Sequence, residues 1–133
     1  MKHDKLWWLL TVIAVLTIVS GLVQLFDPSF VLGTMSAEAT ATSKHFFGIV
    51  GMFMALFGGM TLHALLSVVE NRIVFTWAGA QKLGASLAVG LGVMNGIFSS
   101  VALLVAGFDL ATAVVIAIYL ISRRTPNINP IGG

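Results

Sequence analysis

Lys82 and Asp109 are the only formally charged residues in the 50-residue run from Ile73 to Ser122. A hydrocarbon core of ~30 Å takes about 20 helical residues at ~1.5 Å each, so this run fits two membrane spans and one tight turn. A turn at Ala106-Gly107-Phe108-Asp109 leaves only Leu110 to Ser122 for the last span, which is too short, whereas a turn near Gly96 to Ser100 divides the run evenly. That division puts both charges inside the membrane. Counted from Arg72 and Arg123, Lys82 lies roughly 15 Å deep and Asp109 roughly 21 Å. A charge at a helix centre costs about 2.5–3.5 kcal/mol on insertion scales, so opposite charges at similar depth are expected to face inward and pair.

His63 precedes Arg72 by nine residues, which sets it roughly 14 Å deep, level with Lys82. Thr17 and Gln81 come near the same level. A polar layer of His63, Lys82, Asp109 and Thr112 is therefore expected to cross the bundle. Two chemistries stay open for it. Intramembrane ionisable groups usually mark a ligand-binding or proton-handling pocket. The alternative is a buried ion pair that fixes helix register, with a neutral hydrogen-bonded histidine beside it. Neither reading names a catalytic residue or a cofactor.

The elements that must position this layer follow from the apolar runs. Leu6 to Phe26 is an uninterrupted span opened by Trp7 and Trp8. It is too long for the apolar core of a signal peptide, and Ala37-Glu38-Ala39, which resembles a cleavage box, lies too far past its end. Asp27-Pro28-Ser29 breaks the helix, and an eighteen-residue connection runs from Asp27 to Lys44. Within it Ser36 is a fair N-cap, so the second helix is expected to begin near Ala37 and to cross the membrane over 45–69. Glu70-Asn71-Arg72 turns into a third span over about 73–96. A fourth covers about 101–122, ended by Arg123-Arg124 and the prolines at 126 and 130. The expected architecture is all-α, an integral membrane four-helix bundle in one domain over 1–133.

Composition agrees. Hydrophobic residues make up 58% and charged residues 9% of the chain, against roughly 25% charged in an ordinary globular domain. Mean hydropathy is +1.01, and the ten-residue alternating segments of a β-barrel are absent. The absence of cysteine excludes disulfides and thiolate chemistry within the chain. The net charge of +2 gives no reason to expect nucleic acid as a partner. Lys2, Lys5, Arg72, Arg123 and Arg124 fall on one side of the four spans and Lys44 alone on the other, so both termini are expected to be cytoplasmic. Trp7, Trp8, Trp77 and Tyr119 fall near that same interface.

Small residues recur at every fourth position in two spans: Gly51, Ala55 and Gly59 in the second, and Ala80, Gly84, Ala88, Gly92 and Gly96 in the third. Such ribbons let helix backbones approach closely. Contact between the second and third spans is expected, an oligomer contact being the alternative. No metal site is expected, because His45 and His63 lie ~27 Å apart along one helix.

Lys82-Leu83 early in a third span, with Asp109-Leu110 and Tyr119-Leu120 in a fourth, resembles the DoxX-like group of small four-helix membrane proteins. The ergosterol-biosynthesis scaffold proteins are similar in size and span count. The resemblance implies an accessory or scaffold subunit beside a larger redox or lipid-modifying membrane enzyme. Expected partners are membrane lipids, such an enzyme or further copies of the chain, and the expected location is a bacterial inner membrane. The alternative is a binding protein or small intramembrane enzyme for a lipid-like or quinone-like ligand, with His63, Lys82, Asp109 and Thr112 as its binding residues.

Overall fold

The computed structural model describes residues 3–124; Met1, Lys2 and residues 125–133, with the two prolines expected to end the last span, lie outside them. The described residues form five helices, α1 (Lys5–Phe26), α2 (Pro28–Thr34), α3 (Ala41–Leu66), α4 (Arg72–Met94) and α5 (Ala102–Ser122). Three of them, α1, α3 and α5, are long and apolar enough to cross a membrane. The fourth long helix, α4, falls short in apolar character because it carries Thr76, Gln81, Lys82, Ser86 and four glycines.

Local chemistry sets the boundaries. Asp4 caps α1, its carboxylate accepting from the Trp7 N–H at 2.9 Å, and Asp27 caps α2 with Pro28 in its first turn. The connection expected as a loop thus contains a short helix. Ser36, expected to start the second span, instead ends α2. It adopts φ 51 while the N–H groups of Ser36 and Ala37 bond back to Gly33 and Leu32, a Schellman-type close. The span itself starts at Ala41, where Thr40 and Ser43 form a reciprocal capping box. At the far end of α4, Gly96 takes φ 71 as the Ile97 N–H bonds to the Gly92 carbonyl at 2.8 Å, so the chain turns there.

Contacts fix the directions. The Trp7 indole donates to the Leu65 carbonyl at 3.0 Å, Arg123 pairs with Asp4 at 3.0 Å, and Arg72 donates to the Arg123 carbonyl at 3.2 Å. The start of α1, the end of α3, the start of α4 and the end of α5 therefore share one end of the bundle. The Ser99 N–H bonds to the Met35 carbonyl at 2.9 Å and ties α2 to the α4–α5 turn at the other. At the terminal end Trp7, Leu10, Leu65, Phe75, Ile116 and Tyr119 make the apolar core. Trp7 and Tyr119 thus point inward, while Trp8 (59% exposed) and Trp77 (66%) face outward.

The four long helices pack as two tight pairs, α1 with α3 and α4 with α5, joined along a sparser seam. Inward residues of α1 are Trp7, Leu10, Ala14, Thr17, Gly21 and Gln24, alternately three and four apart as in a left-handed bundle. Against this stripe lies the small-residue face of α3. A Cβ on Gly21 would lie 2.6 Å from both the Ala55 nitrogen and the Gly51 oxygen, and one on Gly51 would lie 2.7 Å from the Gly21 oxygen. The second-span ribbon accordingly meets the first span. The expected contact with the third span is sparse instead. Of the third-span ribbon, Ala80, Gly84 and Ala88 are exposed, and only Gly92 is buried, against Phe98.

The reason is angular. Four residues advance about 400° around a helix, so a strict four-residue ribbon drifts about 40° per step, whereas seven residues return to within about 20°. Gly51 and Gly58, seven apart, both face α1, while Gly59 has open space around it. Substitution of Gly51 by Ala is expected to cost about 1–3 kcal/mol or more, because backbone rather than a flexible side chain must yield. Gly84→Ala is expected to be neutral or to stabilise by up to about 1 kcal/mol, and Ala88→Leu to be tolerated. Unfolding in graded SDS–detergent mixtures measures all three, and equal losses at Gly51 and Gly84 would overturn the packing described here.

Candidate functional site

Burial of a lysine is tolerable only if its ammonium N–H groups find acceptors and its charge a counter-charge. Lys82 lies eleven residues into α4 and faces the seam. Its Nζ donates to Asp109 Oδ1 of α5 at 3.0 Å and to Thr17 Oγ1 of α1 at 3.1 Å. Lys82 and Asp109 are each 7% exposed. The Phe108 ring lies 5.4 Å from Nζ and adds a cation–π contact from α5. One ammonium thus joins the α4–α5 pair to α1. Ser86 reinforces α4 against α5, its hydroxyl donating to the Ala106 carbonyl at 2.9 Å.

Thr112 is buried beside this pair, and its hydroxyl donates to the Phe108 carbonyl at 2.8 Å. His63 is not in the layer. It is exposed in the last turn of α3, whose inward residues there are Thr61, Ala64 and Leu65. The four-residue drift that takes Gly59 off the contact carries His63 further round. Among the described residues, no three His, Asp or Glu side chains converge on one point. Of the four expected residues the structure brings together Lys82, Asp109 and Thr112, and leaves His63 outside.

A small cavity opens at the same level. All four long helices line it, with Thr17, Thr61, Gln81, Lys82 and Thr112 supplying the polar atoms among apolar walls that include Ile13, Phe57 and Ile116. About 20 Å³ of it is open to the centre of a water molecule, enough for about one water. Pockets for drug-sized ligands run to roughly 300–1,000 Å³. The Thr61 and Thr112 hydroxyls already donate to carbonyls of their own helices, which leaves their oxygens as acceptors towards the cavity.

Sequence reasoning placed Thr17 at the right depth but not in the site. The signal was present in α1, where Trp7, Leu10, Ala14, Thr17, Gly21 and Gln24 alternate by three and four. Gln24, on the same stripe, donates to the Phe47 carbonyl of α3 at 2.9 Å and forms a second buried polar link. Comparison with protein-family models, curated proteins and solved structures found no match to this chain.

Removing either partner of the pair is expected to cost about 3–5 kcal/mol, and removing both less than either. Lys82→Met should be the worse single change, since it leaves Asp109 without its ammonium, whereas Asp109→Leu leaves Lys82 with Thr17 and the Phe108 ring. A double-mutant cycle by SDS unfolding checks this; additive losses would show that the two charges do not stabilise one another.

Proposed function

We propose that this chain is a four-span integral membrane protein that serves as a non-catalytic accessory or scaffold subunit of a larger membrane complex. The span count rests on connectivity. If α3 and α5 cross the bilayer, α4 must cross too, because it starts at the terminal end of the bundle and finishes at the other. Pairing with Asp109 and Thr17 offsets the cost of its lysine. The excess of Lys5, Arg72, Arg123 and Arg124 at the terminal end makes that end cytoplasmic under the positive-inside rule, as in a bacterial inner-membrane protein.

The subunit reading is carried by one observation: the Lys82 ammonium bonds to two other helices beside a cavity with room for about a single water. Such a layer holds helices together. A lipid-like or quinone-like ligand would fit only by displacing its side chains. The outer faces are apolar instead, with Val12, Leu16 and Val19 on α1, Phe53 and Leu56 on α3, and Leu104 and Ile118 on α5 all exposed. The resemblance of the Lys82 and Asp109 segments to DoxX-like proteins points the same way.

Reporter fusions after Gly33 and after Gly133 are expected to lie on opposite sides of the membrane, and the same side for both would overturn four spans. Purification in mild detergent, with bound lipid extracted and identified, tests the function. A larger membrane protein at fixed stoichiometry is expected with the wild type and with the Lys82→Met/Asp109→Leu double variant alike. A stoichiometric small molecule, lost from the double variant, would establish the ligand-binding reading in its place.

A further inference from the structure

Hydrogen-bond capacity is unevenly used around the cavity beside Lys82. A lysine ammonium carries three N–H donors, and Lys82 uses two of them, on Asp109 and Thr17. The third has no acceptor among the described residues. A helical threonine can turn its hydroxyl back onto the carbonyl four residues earlier, and Thr11, Thr61, Thr76 and Thr112 all do so. Thr17 does not. Its oxygen accepts from Lys82, and its own O–H has no acceptor among the described residues. Two donors, from α4 and α1, are therefore left over at this level. Thr61 of α3 and Thr112 of α5 are the opposite case, since their O–H groups are used on their own helices and their oxygens can still accept.

These four side chains line one cavity, and each is more than nine-tenths buried. Their helices stand in a ring, α1 beside α3, α3 beside α4, α4 beside α5 and α5 beside α1. The Lys82–Thr17 bond spans one diagonal of that ring, and Thr61 and Thr112 sit on the other. Where the diagonals cross there is room for about one water, faced by two donors and two acceptors. Water matches that set in number, because it accepts twice and donates twice. A halide would meet the lone pairs of Thr61 and Thr112, and a metal cation would meet the ammonium. Half-buried Gln81 lines the cavity as well and offers one further donor and acceptor.

We propose that one ordered water occupies this cavity, accepting from Lys82 Nζ and Thr17 Oγ1 and donating to Thr61 Oγ1 and Thr112 Oγ1. The consequence falls on α3. Among the described residues no side chain of α3 hydrogen-bonds to α4 or α5, and α3 meets α4 only along the sparse seam. A bridging water is nearly as favourable in enthalpy as a direct hydrogen bond, so it extends the Lys82 link to all four long helices at one depth. The proposal rests on the structural reading of the polar layer given above, because a lipid-like or quinone-like ligand would take the water's place.

A crystal structure of the wild-type chain that resolves ordered waters reads the site directly. One peak is expected within about 3.2 Å of at least three of the four groups. No density at that point, or a peak that gains anomalous signal when the crystal is soaked in bromide, overturns the water. Unfolding in graded SDS–detergent mixtures gives a second readout. Thr61→Val and Thr112→Val keep the side-chain shape but remove an acceptor, and each is expected to lower the folding constant about fivefold. Thr76→Val removes the same bond to its own helix away from the cavity, and is expected to change that constant less than about twofold. Losses at Thr61 and Thr112 no larger than at Thr76 overturn the bridging role, and if either variant fails to fold the wild-type structure decides. Density for a larger molecule in the layer, with the same molecule extracted at fixed stoichiometry, refutes the subunit reading and the water together. A cavity without density refutes the water alone.

Discussion

A lysine taken out of water costs several kcal/mol unless its charge and its N–H groups are met, and the fold is arranged so that Lys82 is met from two other helices. Asp109 supplies the counter-charge from the helix that pairs with α4. Thr17 supplies a neutral acceptor from the opposite pair. That division of labour matters because the seam between the two pairs is otherwise sparse. In a surrounding of hydrocarbon no hydrophobic drive closes such a seam, and packing with interhelical hydrogen bonds must do so. The ammonium therefore specifies which face of α1 is turned towards α4 across the bundle, where the two helices do not pack directly, as well as the depth at which the pairs dock.

Within the α1–α3 pair the cohesion has another origin. Gly21, Gly51 and Gly58 bring the two backbones so close that a methyl group at any of them would meet backbone or side-chain atoms within about 3 Å. Dispersion between backbones takes the place of side-chain interdigitation there. The two links complement each other: glycines give contact along one pair, and buried polar groups give registry between pairs. Gln24 on Phe47 adds a polar link within the α1–α3 pair itself, near the far end of α1.

The terminal end closes the bundle by a third means. Trp7 satisfies its indole N–H on the last turn of α3, and Phe75 and Tyr119, with ring centroids 5.0 Å apart, pack beneath the Asp4–Arg123 pair. This exposed pair adds little stability by itself, since surface ion pairs are typically worth 1 kcal/mol or less. Its effect is to gather the first turn of α1 and the last turn of α5, and through Arg72 the start of α4, around one point.

The sequence by itself determined the properties that act locally. Long apolar runs forced helices, Asp27-Pro28 and Gly96 broke them, and the even division of the stretch from Arg72 to Arg124 put Lys82 and Asp109 at matching depth. Depth is a matter of counting at 1.5 Å per residue, so the ion pair was legible without coordinates. Rotation about each helix axis was not. The four-residue ribbons looked like contact faces, yet they drift by about 40° per step, and only the tertiary structure shows where a partner intercepts them. That is why Gly51 meets Gly21 of α1 and why Ala80, Gly84 and Ala88 are left exposed; His63 faces outward and, because α3 already ends at Leu66, also lies nearer the terminal end than Lys82. Thr17 is the converse case. Its inward stripe was written in the spacing of α1, but which helix would lie across that stripe, and with which side chain, depended on how the two pairs docked.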